Sequence, residues 1–149
     1  MNYEKLLRDK LIKQQKPDFR QIVNQLNRSL KDLKTAETNL DIDLTWSLTI
    51  AYHAMVRAGR ALIYSNGYLP TIKNTHKTIV RVTNLILGHD YDGLISKFNR
   101  LRRKRHQFIY DSKNHITYTE AKSSLNTAKK LVGKIFDLVK EKTPDKYLF

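Results

Sequence analysis

Cysteine is absent from this chain of 149 residues. That absence excludes disulfides, thiolate zinc sites and a cysteine nucleophile together. It suits a reducing compartment, and a cytoplasmic location is the expectation taken forward. Proline occurs three times and glycine five times, so turns are few and long helices are favoured. No apolar run approaches the roughly 18 residues of a membrane span, and no membrane partner is expected. The opening stretch, Met1 to Lys10, is charged from its start and does not read as a secretory signal. Acidic residues are scarce: 14 Asp+Glu face 28 Lys+Arg, a formal net charge of +14.

That surplus, with a pI of about 10.0, favours a polyanionic partner such as nucleic acid or an acidic protein. A solvated basic surface explains charge alone equally well. Hydrophobic residues make up 40% and charged residues 28%, a globular rather than disordered balance. The length fits one domain, 1–149, with a core over about 17–141. A short N-terminal helix before it (1–16) and a loose tail after it (142–149) are expected.

Between the sparse breaks the apolar residues recur at helical spacing, which predicts an all-α fold of roughly six helices. The first runs from about Tyr3 to Gln14. Asp18 caps a second, with a stripe of Phe19, Ile22, Val23, Leu26, Leu30, Leu33, Ala36 and Leu40. Asp43 caps a third, which reaches Asn66, with Gly67 placed for a left-handed C-cap. The small residues Ala51, Ala54, Ala58, Gly59 and Ala61 make this third helix the expected centre, open to close approach. A fourth starts at Asn74 or Thr75 and ends at Gly88. A fifth starts at Asp90 or Asp92 and ends near Tyr110, followed by a polar loop from Asp111 to Ile116. Thr117 and Glu120 form a capping-box pair opening the last helix. No β-branched alternation is long enough to predict a sheet.

The fifth helix holds the densest charge, from Asn99 to Asp111. At 100° per residue, Leu94, Phe98, Leu101 and Phe108 fall in one stripe, with Arg105 in its middle and Arg102 on its edge. His106 lies one turn from Arg102, while Arg100, Arg103 and Lys104 point to solvent. A guanidinium on a core-facing stripe is costly unless paired or set in a polar cleft. Two reasons for Arg105 stay open. One is a buried partner: Asp43, Asp111, Glu120 or a tyrosine hydroxyl. The other is a phosphate, which suits the planar guanidinium fork.

Other candidates carry less. His53 and Arg57 sit one turn apart on the third helix, and Tyr52 lies on its apolar side as a core residue needing one hydroxyl partner. His76, near a helix start, reads as capping or packing. His89-Asp90-Tyr91-Asp92 is better explained by capping than by a metal. Lys129, Lys130 and Lys134 read as a solvated face. No P-loop, dinucleotide glycine pattern, G-x-S-x-G or H-E-x-x-H occurs, and no metal or cofactor is expected.

Residues Arg100 to Asp111, with their Arg-Arg-Lys-Arg-His-x-x-x-Tyr-Asp core, resemble the signature helix of HEPN domains, the nucleotide-binding domains of higher eukaryotes and prokaryotes. Ala51-Tyr52-His53-Ala54-Met55 through Arg60-Ala61-Leu62 is similar to the family's central helix. Asn74-Thr75-His76-Lys77 and Ile116 to Ala121 resemble the entries to two later helices. The resemblance spans about 43–140. It implies an up-and-down bundle that dimerises, so a homodimer is expected, with RNA or nucleotide as partner and a nucleotidyltransferase-type antitoxin as a further one.

Many family members are metal-independent endoribonucleases whose motif is Arg, a polar residue, then His. By that resemblance Arg105, His106 and Tyr110 are the catalytic positions, with Tyr110 standing where the family's His falls. Tyrosine, with an ordinary pKa near 10, is a poor base at neutral pH. A literal Arg-x5-His reading joins Arg100 to His106, but the two diverge by roughly 120° on a helix. Arg100, Arg102, Arg103, Lys104 and Arg105 are the nucleic-acid-binding candidates; Tyr52, His53, Arg57 and Asp111 support them. Three readings follow: a non-catalytic module binding RNA, nucleotide or partner in a toxin–antitoxin or defence setting; an endoribonuclease; and a structural dimer binding an acidic protein.

Overall fold

In the computed structural model, residues 2–111 and 115–147 are described. The middle of the expected 111–116 loop and the last two residues of the expected tail lie outside them. Six α-helices form the body: α1 Tyr3–Arg8, α2 Phe19–Asn39, α3 Leu44–Ser65, α4 Thr75–Leu87, α5 Asp92–Tyr110 and α6 Tyr118–Lys142. The fold is all-α apart from a two-strand ribbon of three residues each, β1 Ile12–Gln14 and β2 Tyr68–Pro70. No helix among the described residues is long and apolar enough to cross a membrane.

The caps fall where short polar side chains can accept from first-turn N–H groups. Asp18 accepts from the amides of Arg20 and Gln21, Asp43 from Trp46, and Thr117 from Glu120 at 3.1 Å. Gly67 adopts φ +90° after α3, the left-handed conformation glycine takes without steric cost. α5 starts at Asp92, one of the two starts expected, but without the expected cap. Neither Asp90 nor Asp92 caps it through its side chain; residues His89–Tyr91 form a 3-10 turn and Asp92 is the first helical residue.

α3 is the central helix, packed by α2, α4, α5 and α6. Its small residues permit this. A Cβ at Gly59 would stand 2.7 Å from Ile79 Cγ2 and 2.9 Å from Thr83 Oγ1, both on α4. Two buried hydroxyls stitch α2 to α3 in antiparallel register: Ser29 donates to the Ala54 carbonyl at 2.7 Å and Ser47 to that of Ala36 at 2.6 Å. α6 buries Ala121, Leu125, Ala128, Leu131, Val132, Ile135 and Val139.

The N-terminal segment departs most from the sequence reading. α1 stops at Arg8 rather than near Gln14, because Lys10 turns into the left-handed region at φ +58°. The chain then pairs antiparallel with the segment after α3, Ile12 opposite Pro70 and Gln14 opposite Tyr68. Leu11 and Ile12 are buried, and Tyr3 stacks on Tyr68 with ring centroids 4.4 Å apart. Three residues are too few for alternation to register. This ribbon clamps the connection between α3 and α4, and so sets where α4 begins. At the other end, Thr143 is buried and donates to the Val139 carbonyl at 2.7 Å, and a 3-10 turn spans Asp145–Tyr147.

Candidate functional site

The first turn of α4 meets the middle of α3 and the C-terminal half of α5. Tyr52 of α3 is fully buried, its ring beside Phe98 and Phe108 of α5 at centroid distances of 6.0 and 6.5 Å. Its hydroxyl reaches His76 Nδ1 on α4 at 2.7 Å. Arg105 of α5 brings Nη1 to the same Nδ1 at 3.0 Å. A guanidinium only donates, so this nitrogen is the acceptor. We therefore assign the neutral imidazole with its proton on Nε2, the one lone pair shared by Tyr52 and Arg105.

The electrostatics agree. Loss of hydration, then Arg105, His53, Arg60 and Arg102, pull the His76 pKa down to about 4. Burial pushes Tyr52 up to about 12, against the pull of Arg105 and Arg102. At neutral pH, then, Tyr52 is a fixed hydroxyl donor and His76 a fixed acceptor. His53 stands edge-on to His76, centroids 6.2 Å apart. Partial loss of hydration, then Arg105 and Arg57, lower its pKa.

Around this triad lies an open concavity of about 520 Å³, with Arg60, Lys77, Arg102 and Arg105 among its walls and Asn74 and Thr75 at its rim. It runs into a neighbouring hollow of about 370 Å³ that shares Lys77 and Arg102 and adds Arg81. Asp92, which His89 contacts at 3.2 Å, is the carboxylate on that second wall. Asn74 caps α4 from a left-handed conformation, φ +51°, without a side-chain capping bond. The positive end of α4 thus adds to the same field.

Arg105 occupies the stripe flanked by Phe98, Leu101 and Phe108, all buried, yet it is itself exposed. The sequence reading had it facing inward. An arginine on an apolar face keeps its stem along that face and carries its head to water, and here the head meets an imidazole at the floor of a cleft. Of the carboxylates considered as partners, Asp43 accepts from Trp46 N at the start of α3, and Glu120 lies in the first turn of α6.

The remaining candidates separate. Arg102 joins the concavity and donates from Nε to Asn99 at 2.9 Å. Arg103 is exposed; Arg100 and Lys104 line a different hollow, on the α6 side of α5. His106 and Tyr110 sit ring against ring on the outside of α5, 4.9 Å apart, with Tyr110 73% exposed. Arg57 turns to α2, where it pairs with Asp32 at 3.4 Å and donates to Gln25 at 3.0 Å. Asp111 is the C-cap residue of α5. Arg105 is thus grouped with His76, while His106 and Tyr110 form a separate pair.

His76, Arg60 and Lys77 were missed as site residues. The signal for His76 was the polar tetrad Asn74-Thr75-His76-Lys77 that opens α4. What sequence could not supply was the contact, since 24 and 29 residues separate His76 from Tyr52 and Arg105.

Fold and site define an all-α domain in which a buried tyrosine and a neutral histidine hold an arginine over a basic cleft. The HEPN domain model matches residues 22–141, and the chain belongs to that family. No curated protein and no solved structure matches the chain.

Proposed function

We propose that this HEPN-domain protein binds RNA through its phosphates at the concavity between α3, α4 and α5, without cutting it. The observation that carries this reading is the grouping of Arg60, Lys77, Arg102 and Arg105 around His76 in one open cleft. An arginine held by a neutral acceptor keeps its full charge, and its remaining N–H groups can fork onto phosphate oxygens. Cleavage is disfavoured by the same geometry. A metal-independent ribonuclease needs a base with an available lone pair beside the phosphate-binding arginine. The Nδ1 lone pair of His76 is already engaged by two donors, His106 and Tyr110 lie on another part of α5, and His53, though edge-on to His76, does not line the cleft.

The reading includes the family's expected setting, an RNA-binding module of a toxin–antitoxin or defence system, working as a homodimer. Sedimentation of the purified chain tests the dimer; a single monomer boundary at all concentrations removes it.

The binding test uses a fluorescein-labelled oligouridylate of about 12 nucleotides and fluorescence anisotropy. Four phosphate contacts give a slope of about −3 in log affinity against log salt. The double variant Arg102→Ala/Arg105→Ala is expected to bind about tenfold more weakly, with a slope nearer −1.5. Equal affinity in wild type and variant overturns the assignment of the cleft. RNA cut by the wild type in EDTA, but left whole by Arg105→Ala, replaces binding with catalysis.

A further inference from the structure

On its other flank α5 borders a second basic depression, and we infer that this is a track for single-stranded RNA leading away from the phosphate cleft. This inference rests on the RNA-binding reading above and assigns a separate surface to it. On α5, Lys97, Arg100 and Lys104 are spaced i, i+3, i+7 and so share one flank, away from Arg102. On α6, Thr119, Lys122, Ser123, Asn126, Thr127 and Lys130 are spaced i, i+3, i+4, i+7, i+8, i+11, a single stripe. Two hollows of about 410 and 430 Å³ lie between these rows. Both include Thr119 and Ser123, so they join into one depression. From Thr119 to Lys130 the helical rise makes it about 16 Å long.

Three features favour a nucleic-acid strand. The walls carry Lys97, Arg100, Lys104, Lys122 and Lys130, with Glu120 the carboxylate among the described lining residues. That is far more one-sided than the chain as a whole, with 28 basic and 14 acidic residues. Tyr118, at the same wall, is 53% exposed, a flat ring of the kind on which bases stack. Between the cations Thr119, Ser123 and Asn126 add hydroxyl and amide groups beside Leu94, which suit 2′-hydroxyls and base edges.

The lysines of α6 are thereby told apart. Lys129 is tied to Glu37 at 2.9 Å, and Lys134 lies over the Tyr91 ring at 5.3 Å, whereas Lys122 and Lys130 face the depression.

The test compares oligouridylates of about 4 and about 16 nucleotides on the full chain. Four proteins are used: wild type; Lys97→Ala/Lys122→Ala/Lys130→Ala; Tyr118→Ala; and Arg102→Ala/Arg105→Ala. All substituted side chains reach solvent, and matching thermal melts verify folding. The triple variant is expected to lose about tenfold in affinity for the long RNA, its salt slope shrinking by about 2, with the short RNA affected less than about twofold. Tyr118→Ala is expected to lose about fivefold or more on the long RNA at unchanged slope. Long-RNA binding that is intact in the triple variant but weakened in the arginine pair overturns the track and leaves the cleft standing. Wild type that binds neither RNA overturns the cleft first, and the track with it. An oligoglutamate peptide that displaces the long RNA as effectively as unlabelled oligouridylate also overturns the track, in favour of an acidic protein.

Discussion

His76 is a base that the fold will not let become an acid. A proton on Nδ1 would set an imidazolium against the Arg105 guanidinium 3.0 Å away and cost the Tyr52 hydroxyl its acceptor. The pH dependence has a definite sign. The folded-state value of about 4 lies below the ordinary 6.5, so between these limits the unfolded chain takes up a proton that the folded chain does not. The His76 contribution is constant above pH about 6.5 and is lost progressively as pH drops toward about 4. His53 is lowered too and acts in the same direction below its ordinary 6.5. Glu37, held below its ordinary 4.5 by the Lys129 hydrogen bond and charge, acts only under that pH. Thermal melts from pH 7 to about 4.5 should therefore show a falling Tm in the wild type and a flatter profile in His76→Gln. Parallel profiles would mean that His76 titrates normally.

Arg105 was legible in the sequence, because a charge inside an apolar stripe needs a reason. Its partner was not. The tyrosine hydroxyl that sequence reasoning allowed bonds His76 instead, and it is this histidine, from a distant helix start, that Arg105 meets. Tyr52 reads as core from its stripe and is core; the same burial that makes it so gives it a hydroxyl role at the site floor.

At the scale of elements, the site depends on how closely α4 approaches α3. Gly59 sets that distance, since a Cβ there runs into the β-branched Ile79 and into Thr83. Gly59→Val should cost about 1–3 kcal/mol by overpacking, read from a denaturant titration. It should also weaken RNA binding, because α4 carries His76 and Lys77. Unchanged stability would show that α4 can shift without penalty.

Helices α2, α3 and α6 were legible nearly to the residue. Their stripes are long, and Asp18, Asp43 and Thr117 mark their starts. The N-terminal ribbon was not legible. Ile12 continues an apolar pattern begun by Leu6 and Leu7, and only the backbone turn at Lys10 separates strand from helix. α5 was placed correctly at its end and starts at Asp92, one of the two starts expected, but a 3-10 turn stands where a side-chain cap was expected.

For the whole molecule, the net charge of +14 favours a polyanionic partner without saying where one would dock. Folding resolves the surplus into two basic depressions on either flank of α5. It sets other cations aside in ion pairs, such as Arg28 and Arg57 with Asp32 and Lys129 with Glu37. The family resemblance pointed to the same helix and carried the fold; the match over residues 22–141 establishes it. The divergence of Arg105 from His106 and Tyr110, by about 100° and about 140° at the helical step, was legible in the sequence, but the resemblance grouped the three.

The most direct test of the account is to watch the cleft itself while RNA binds. Side-chain NMR signals of His76 and Arg105, followed through an oligouridylate titration at neutral pH, should shift with the same dissociation constant as the anisotropy. The His76 imidazole should remain neutral throughout. RNA binding that leaves both signals where they were would contradict the claim that this arginine, held by this histidine, is what meets the phosphate.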